Sequence, residues 1–168
     1  MSFIHFLEQT ENMTESPLSQ ANALPGNLLR RCHQISVAIF LRKCEANNLT
    51  QLQYIILSAL DEMGSLDQIT LGGFTALDRN TVAIVVKKLE ERGLVDRRRS
   101  PEDRRSMLVT ITEAGKALCV EAEPAVIQAQ EDILAPLNEE EREQVCGLLQ
   151  RLADENNALS RVPIRRAG

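Results

Sequence analysis

The stretch from Leu77 to Gly115, LDRNTVAIVVKKLEERGLVDRRRSPEDRRSMLVTITEAG, constrains the fold more than any other part of this 168-residue chain. Asp78 is a residue type that caps helix N-termini. After it, Val82, Val85, Val86 and Leu89 recur at the three- and four-residue steps that gather one helix face. Gly93 marks the end of that helix. Leu94 to Arg97 and Met107 to Ile111 read as strands, with Val109 and Ile111 on one face. Ser100 to Ser106, marked by Pro101, is the turn between them. Thr112 then opens a further helix. The order is helix, strand, arginine-dense hairpin, strand.

The flanking sequence supplies helices. Residues 1–23 hold a short apolar patch (Phe3, Ile4, Phe6, Leu7) and then the polar run TENMTESPLSQ, which predicts a flexible N-terminal arm. A helix is expected from Pro25, a favourable first-turn residue, to about Asn47–Asn48, with Leu28, Cys32, Ile35 and Ile39 sharing a face. Thr50 to Gln53 has the spacing of a capping box, with Leu49 and Tyr54 placed as a hydrophobic staple. The helix it opens carries Leu52, Ile55, Ile56 and Leu60 and stops near Gly64. Ser65 to Gln68 repeats the spacing and opens a short helix through Thr70, Leu71 and Phe74. Gly72 and Gly73 fall inside it, each costing about 1 kcal/mol against Ala, a cost that close packing or local mobility would explain. The helix from Thr112 should kink at Pro124, and Pro136 and Asn138 mark a break. A last helix carries Val145, Leu148, Leu149, Leu152 and Leu159. Residues 161–168 read as a disordered basic tail. The fold class is mainly α, a single domain over 24–160, with a small β-hairpin.

Charge is unevenly distributed. The chain carries −5 overall, which alone argues against nucleic acid. Yet the window from Arg79 to Arg105 holds nine Lys or Arg against five acids. A local positive patch on an acidic body binds phosphates while the whole stays soluble. The helix pair from Ser65 to Arg92 has helix-turn-helix proportions, and the hairpin beside it completes a winged helix. Such a unit puts one helix in a major groove and its hairpin in the neighbouring minor groove of duplex DNA. At the helix start, Arg79 suits guanine, Asn80 suits adenine, and the Thr81 methyl suits thymine. Lys87 and Lys88, two turns on, suit phosphates. Five of the nine residues from Arg97 to Arg105 are arginines: Arg97, Arg98, Arg99, Arg104 and Arg105. That crowding is self-repelling without a polyanion. Asp103 is placed to brace Arg105 for a narrow, negative minor groove. The plainer readings are a solvated helix surface and a local ion-pair cluster that stabilises the turn.

Other classes are poorly supported. There is no P-loop, G-x-S-x-G, H-E-x-x-H or dinucleotide fingerprint, so no enzyme is expected. The four cysteines (Cys32, Cys44, Cys119, Cys146) form no C-x-x-C pair and there are only two histidines, so neither a metal site nor a cofactor is expected. No signal segment or membrane-length apolar run is seen, and a cytoplasmic protein with reduced thiols is expected. A winged helix used only for protein contacts is the remaining alternative, and the arginine hairpin counts against it.

The Asp78–Thr81 helix start, the LEERGLV run (Leu89 to Val95), the PEDRRS turn (Pro101 to Ser106) and the TEAG junction (Thr112 to Gly115) together resemble the MarR family of winged-helix regulators. The resemblance implies a homodimer on a pseudo-palindromic operator. Residues 25–48 and 112–160 would form an α-helical dimerisation body, and 50–111 the DNA-binding lobe. It implies a repressor released by a small aromatic ligand, phenolic or carboxylate, controlling an aromatic-compound catabolic or related operon. By the same match Arg105 is the wing arginine and Asp103 its partner. Ala83 and Ile84 stand where the family often has Ser and Arg, which leaves more of the base reading to Arg79, Asn80, Thr81 and the wing. The family's ligand site commonly lies where body meets lobe, which points to Arg30, Arg31 and His33 on the first helix and to Tyr54 and Ser58 on the second, with His5 carried in by an arm. A redox trigger is the alternative, since Arg30 and Arg31 stand close to Cys32. Cys44, Cys119 and Cys146 read as helix-packing residues.

Overall fold

The computed structural model describes residues 16–101, 103 and 106–165. The chain forms two compact units, Met1–Ala38 and Ile39–Gly168. In the first unit, α1 (Pro17–Ala23) occupies part of the stretch expected to be a flexible arm. Ser16 caps it by accepting the Ser19 N–H at 3.3 Å, and Pro17 sits where a missing N–H is harmless. Leu24, in extended backbone, ends α1, and α2 (Pro25–Lys43) begins at once. The Asn27 amide donates to the Ala21 carbonyl at 2.7 Å across this joint. Leu28, Cys32 and Ile35 of the expected apolar face are exposed.

α2 continues into the second unit and stops at Lys43, short of the expected Asn47–Asn48. The chain turns there because Asn48 adopts φ +48°. The Arg92 guanidinium holds that turn by donating to the carbonyls of Asn48 and Asn47 at 2.7 and 3.1 Å. In α3 (Gln51–Met63) the capping box is complete, the Thr50 hydroxyl and the Gln53 side chain each receiving the other residue's backbone N–H. Its inward face is Gln53, Ile56, Leu57 and Leu60, whereas Leu52 and Ile55 are exposed. The helix carries two adjoining apolar stripes, so spacing alone does not say which one is buried.

Leu66–Asp67 forms a short strand, β1, that the sequence reading does not anticipate. It shifts the next cap by two residues. Asp67, not Ser65, caps α4 (Gln68–Thr75), and Ser65 instead meets the Thr110 hydroxyl at 2.6 Å. In α5 (Arg79–Glu91) the buried residues are Val82, Val85, Val86 and Leu89, as expected from the spacing. Gly93, at φ +68°, ends it: its N–H donates to the Glu90 carbonyl at 2.8 Å and that of Leu94 to the Leu89 carbonyl at 3.0 Å. That paired closure needs a left-handed residue, which glycine adopts without steric cost.

Strands β2 (Val95–Arg99) and β3 (Met107–Ile111) form the hairpin, and the antiparallel sheet runs β1-β3-β2. Val95 pairs with Ile111 and Arg97 with Val109. One core holds these elements, built on Phe40, Ile56, Leu57, Leu60, Leu71, Val82, Val86, Leu89, Val95 and Val109. Each such side chain contributes about 1.5–3 kcal/mol when removed from water. Gly72 is buried, and a Cβ there would lie 2.7 Å from the Leu77 carbonyl oxygen. Close packing therefore accounts for it.

The TEAG junction locks the hairpin to the next helix, α6 (Glu113–Leu134). The Thr112 N–H donates to the Leu94 carbonyl at 3.0 Å and its hydroxyl to the Gly93 carbonyl at 2.8 Å. The same hydroxyl accepts the Gly115 N–H at 3.1 Å. A Cβ on Gly115 would overlap the Leu94 carbonyl oxygen and the Ile111 side chain. α6 runs through Pro124 as one helix. Asn138 and Glu141 form a capping box for α7 (Glu139–Glu155), which buries no residue. Leu159 lies beyond it in a 3₁₀ turn, Asn157–Leu159. Residues 161–165, expected to fray, turn back instead, and the Arg165 N–H donates to the Gly73 carbonyl at 2.8 Å.

Candidate nucleic-acid interface and ligand cavity

The two helices of the helix-turn-helix begin with the same device. Asp67 accepts the N–H groups of Ile69 and Thr70 and the Thr70 hydroxyl, and Asp78 accepts those of Asn80 and Thr81 and the Thr81 hydroxyl. A carboxylate at that position also meets the positive end of the helix dipole. The Thr81 hydroxyl and N–H, with help from the Asn80 N–H and the charge of Arg161, hold the Asp78 carboxyl below its ordinary range. The hydroxyl of Thr81 is thereby committed to the cap at 2.7 Å. Arg79 and Asn80 remain exposed beside it. Further along the outer face stand Ile84, 58% exposed, and then Lys87 and Lys88. Lys87 lies 3.8 Å from Glu91, an exposed pair of small energetic weight.

One arginine of the hairpin is held by α5. Arg97 shares a strand side with buried Val95 and forms an ion pair with Glu90 of α5. The hydrogen bond from Arg97 holds the Glu90 carboxyl below the ordinary range and raises the guanidinium pKa. Arg97 therefore fastens the hairpin to α5. Arg98 and Arg99 are exposed. Ser100 is buried and closes the hairpin, its N–H donating to the Ser106 carbonyl at 2.9 Å. The Asp103 N–H donates to the Ser100 hydroxyl at 3.3 Å, and its carbonyl accepts the Ser106 N–H at 2.9 Å. Arg104 and Arg105, and with them the expected Asp103–Arg105 brace, lie outside the described residues.

A cleft of about 600 Å³ opens where the starts of α4 and α5 meet the hairpin. It is lined by Asp67, Gln68, Ile69, Arg79, Arg97, Asp103, Ser106 and Met107, so three of the expected contact residues converge there. Gln68 and Ile69, the latter 65% exposed, are absent from the sequence-derived set. The repeated Asp-x-x-Thr cap was the available signal for them.

The expected effector residues divide between the two units. Tyr54 and Ser58 line a cavity of about 410 Å³ with Phe40, Gln51, Ile55, Val126 and Gln130. The Phe40 and Tyr54 rings stand 6.3 Å apart, and the Ser58 hydroxyl donates to the Tyr54 carbonyl at 2.9 Å. The lining carries no charged side chain. Arg30, Arg31 and His33 belong to the Met1–Ala38 unit and are exposed. Arg30 donates to Asn27 and Gln34 on its own helix. His5 lies outside the described residues. Cys44 is buried and burial pushes its thiol pKa up, as burial and the Asp61 charge do for Cys119. Cys32 and Cys146 are exposed; for Cys146 this departs from the expected packing role, because α7 buries none of its residues. Among the described residues no cluster of His, Cys, Asp or Glu could hold a metal ion, and no helix is long and apolar enough to cross a membrane.

A capped helix pair, a core-anchored hairpin and a basic outer face define a winged helix-turn-helix protein. Comparison with known proteins agrees. The MarR family profile matches residues 49–107. The chain is 36% identical over 129 residues to the HTH-type transcriptional repressor NicR of Pseudomonas putida, covering 77% of this chain and 82% of that one. Its fold is similar to that of Bordetella bronchiseptica BpsR, whose DNA binding is regulated by 6-hydroxynicotinic acid (35% identity, TM-score 0.74, 79% and 95% coverage). It is also similar to the transcriptional repressor CouR bound to a 23-mer DNA duplex (28% identity, TM-score 0.73, 83% and 99% coverage). The chain belongs to the MarR family; it is a DNA-binding transcriptional repressor and not an enzyme.

Proposed function

We propose that two copies of the chain bind a pseudo-palindromic operator in the cytoplasm, with the N-terminal turn of each α5 in a major groove and each hairpin in the adjoining minor groove. Arg79 and Asn80 read base edges, Lys87, Lys88, Arg98 and Arg99 meet phosphates, and Arg104 and Arg105 at the hairpin tip enter the minor groove with Asp103 as brace. The observation that carries this reading is the cleft that joins Arg79, Arg97 and Asp103 at the meeting of both helix starts and the hairpin. The dimer is supported by α7, whose Leu148, Leu149 and Leu152 are 53%, 44% and 53% exposed. An exposed apolar stripe of that kind marks a surface for a partner.

The effector is a small aromatic compound seated in the Tyr54 cavity, its ring beside Phe40 and Tyr54 and its polar groups meeting Gln51, Ser58 and Gln130. Binding shifts the population of dimers away from the spacing the operator needs, and the genes released serve aromatic-compound catabolism. Enrichment of bound duplexes from a random pool tests the DNA half: an inverted repeat with half-sites about 10 base pairs apart is expected, and a pool with no symmetry contradicts it. For the effector half, 6-hydroxynicotinic acid and related aromatic acids should release the enriched duplex from the wild type and not from Tyr54→Ala. Equal release from both removes the cavity from the account.

A further inference from the structure

The outer face of α5 carries one side chain that phosphate binding does not explain. Val82, Val85, Val86 and Leu89 turn into the core, while Arg79, Asn80, Lys87 and Lys88 are exposed. Ile84 stands among these polar groups, opposite the buried stripe and 58% exposed. It lies one turn after Asn80 and one turn before Lys88, so the three share a line along the helix. A lone exposed apolar residue is ordinary on a protein surface. Its place here is not ordinary. Both neighbours on that line belong to the DNA-facing set. Branching at Cβ also makes isoleucine a poorer helix former than the straight-chain residues that suit a solvated face. The same branching leaves the side chain stiff at χ1, so little freedom is lost when a partner covers it.

A major groove offers such a side chain one complementary feature. Its base edges present hydrogen-bond donors and acceptors, which isoleucine cannot answer, and one apolar group, the 5-methyl of thymine. Thr81, the residue that the sequence assigns to that methyl, is half-buried, and its hydroxyl is fixed on Asp78 at 2.7 Å. Ile84 projects further from the same face with nothing polar to satisfy. The cations on either side of it, with Arg98 and Arg99 exposed on the hairpin, give this face the charge that fits a polyanion. Duplex DNA is therefore the occupant that suits both the charges and the apolar group between them.

We propose that Ile84 is a specificity-determining residue of the DNA interface and reads a thymine in each half-site through its 5-methyl group. This rests on the DNA-binding reading above. The test is a uracil scan of the enriched duplex. Replacing one thymine at a time by uracil, at the same position in both half-sites, removes the methyl and keeps the base pair. The full chain, Ile84→Val and Ile84→Ala are titrated against each duplex by fluorescence anisotropy, with the unfolding temperature of each measured alongside. At one thymine the wild type should lose about fourfold in affinity per half-site and about 15-fold for both, the worth of one buried methyl group. Ile84→Ala should unfold at or slightly above the wild-type temperature, bind the thymine duplex more weakly and be indifferent to uracil at that position, the non-additivity that marks a direct contact. Ile84→Val should fall between the two. A wild type indifferent to uracil at every position overturns the proposal and leaves the rest of the interface intact. A uracil cost as large in Ile84→Ala as in the wild type also overturns it, because another residue then meets the methyl. A wild type that binds no duplex overturns the DNA-binding reading and this inference with it.

Discussion

Replacing Gly115 by alanine tests the junction that ties the hairpin to the body. Within a helix this change normally stabilises, by up to about 1 kcal/mol. Here the new methyl would overlap the Leu94 carbonyl oxygen and the Ile111 side chain. Overpacking of this kind costs about 1–3 kcal/mol. The carbonyl can retreat only by giving up the Thr112 N–H it accepts at 3.0 Å, worth about 1 kcal/mol more. After the helix gain is subtracted, the net loss should be about 1–3 kcal/mol, or about 2–12 °C in unfolding temperature for a chain of this size. Gly26→Ala, in the first turn of α2 with nothing within 4 Å of its Cβ, is the matched control and should be neutral or slightly stabilising. Urea and thermal unfolding of both variants give the comparison. A Gly115→Ala protein as stable as the control would refute the argument that close approach, and not loop freedom, places glycine there.

Other consequences follow from single residues. Arg79→Ala should relax operator selectivity by about 1–3 kcal/mol at one base pair in competition binding, and unchanged selectivity would remove Arg79 from the base-reading set. Ala76 holds φ +53° at the end of α4, a left-handed conformation that costs about 1 kcal/mol for a residue with a Cβ. Ala76→Gly relieves that strain against a smaller entropy cost, so its urea midpoint should rise; a lower midpoint would show that the turn is not strained. Burial pushes the Asp67 carboxyl up, but the hydrogen bonds from Thr70 and Ile69 outweigh it and the net shift is downward. A carboxyl whose folded pKa is depressed contributes stability that is present above its unfolded value, near pH 4, and is lost as pH falls through the folded value. The stability gap between wild type and Asp67→Asn should therefore narrow between pH 7 and pH 3, and a constant gap would contradict the cap assignment.

How much was legible beforehand depended on whether a signal was local. The buried face of α5 could be read because Val82, Val85, Val86 and Leu89 form one apolar stripe between an aspartate cap and a glycine stop. The hairpin could be read for the same reason. β1 could not: two residues make no pattern, and Leu66–Asp67 becomes a strand only by pairing with Val109 and Leu108, far along the chain. That pairing also moved the cap of α4 from Ser65 to Asp67. In α3, two apolar stripes compete, and only tertiary packing chose Ile56, Leu57 and Leu60 over Leu52 and Ile55. The arginine count of the hairpin was visible, but not that Arg97 pairs with Glu90, because that requires knowing how the strand lies on α5. The return of the chain onto α4 was hidden because Arg165 and its partner, Gly73, are distant in sequence.

The central claim is that paired chains grip a double helix largely through arginine and lysine side chains, and the composition of the complex in solution tests it most directly. Sedimentation of the purified protein with the enriched duplex at low and moderate salt should show two chains on each duplex, with affinity falling by orders of magnitude as salt rises. A single chain on the duplex, or an affinity indifferent to salt, would contradict it.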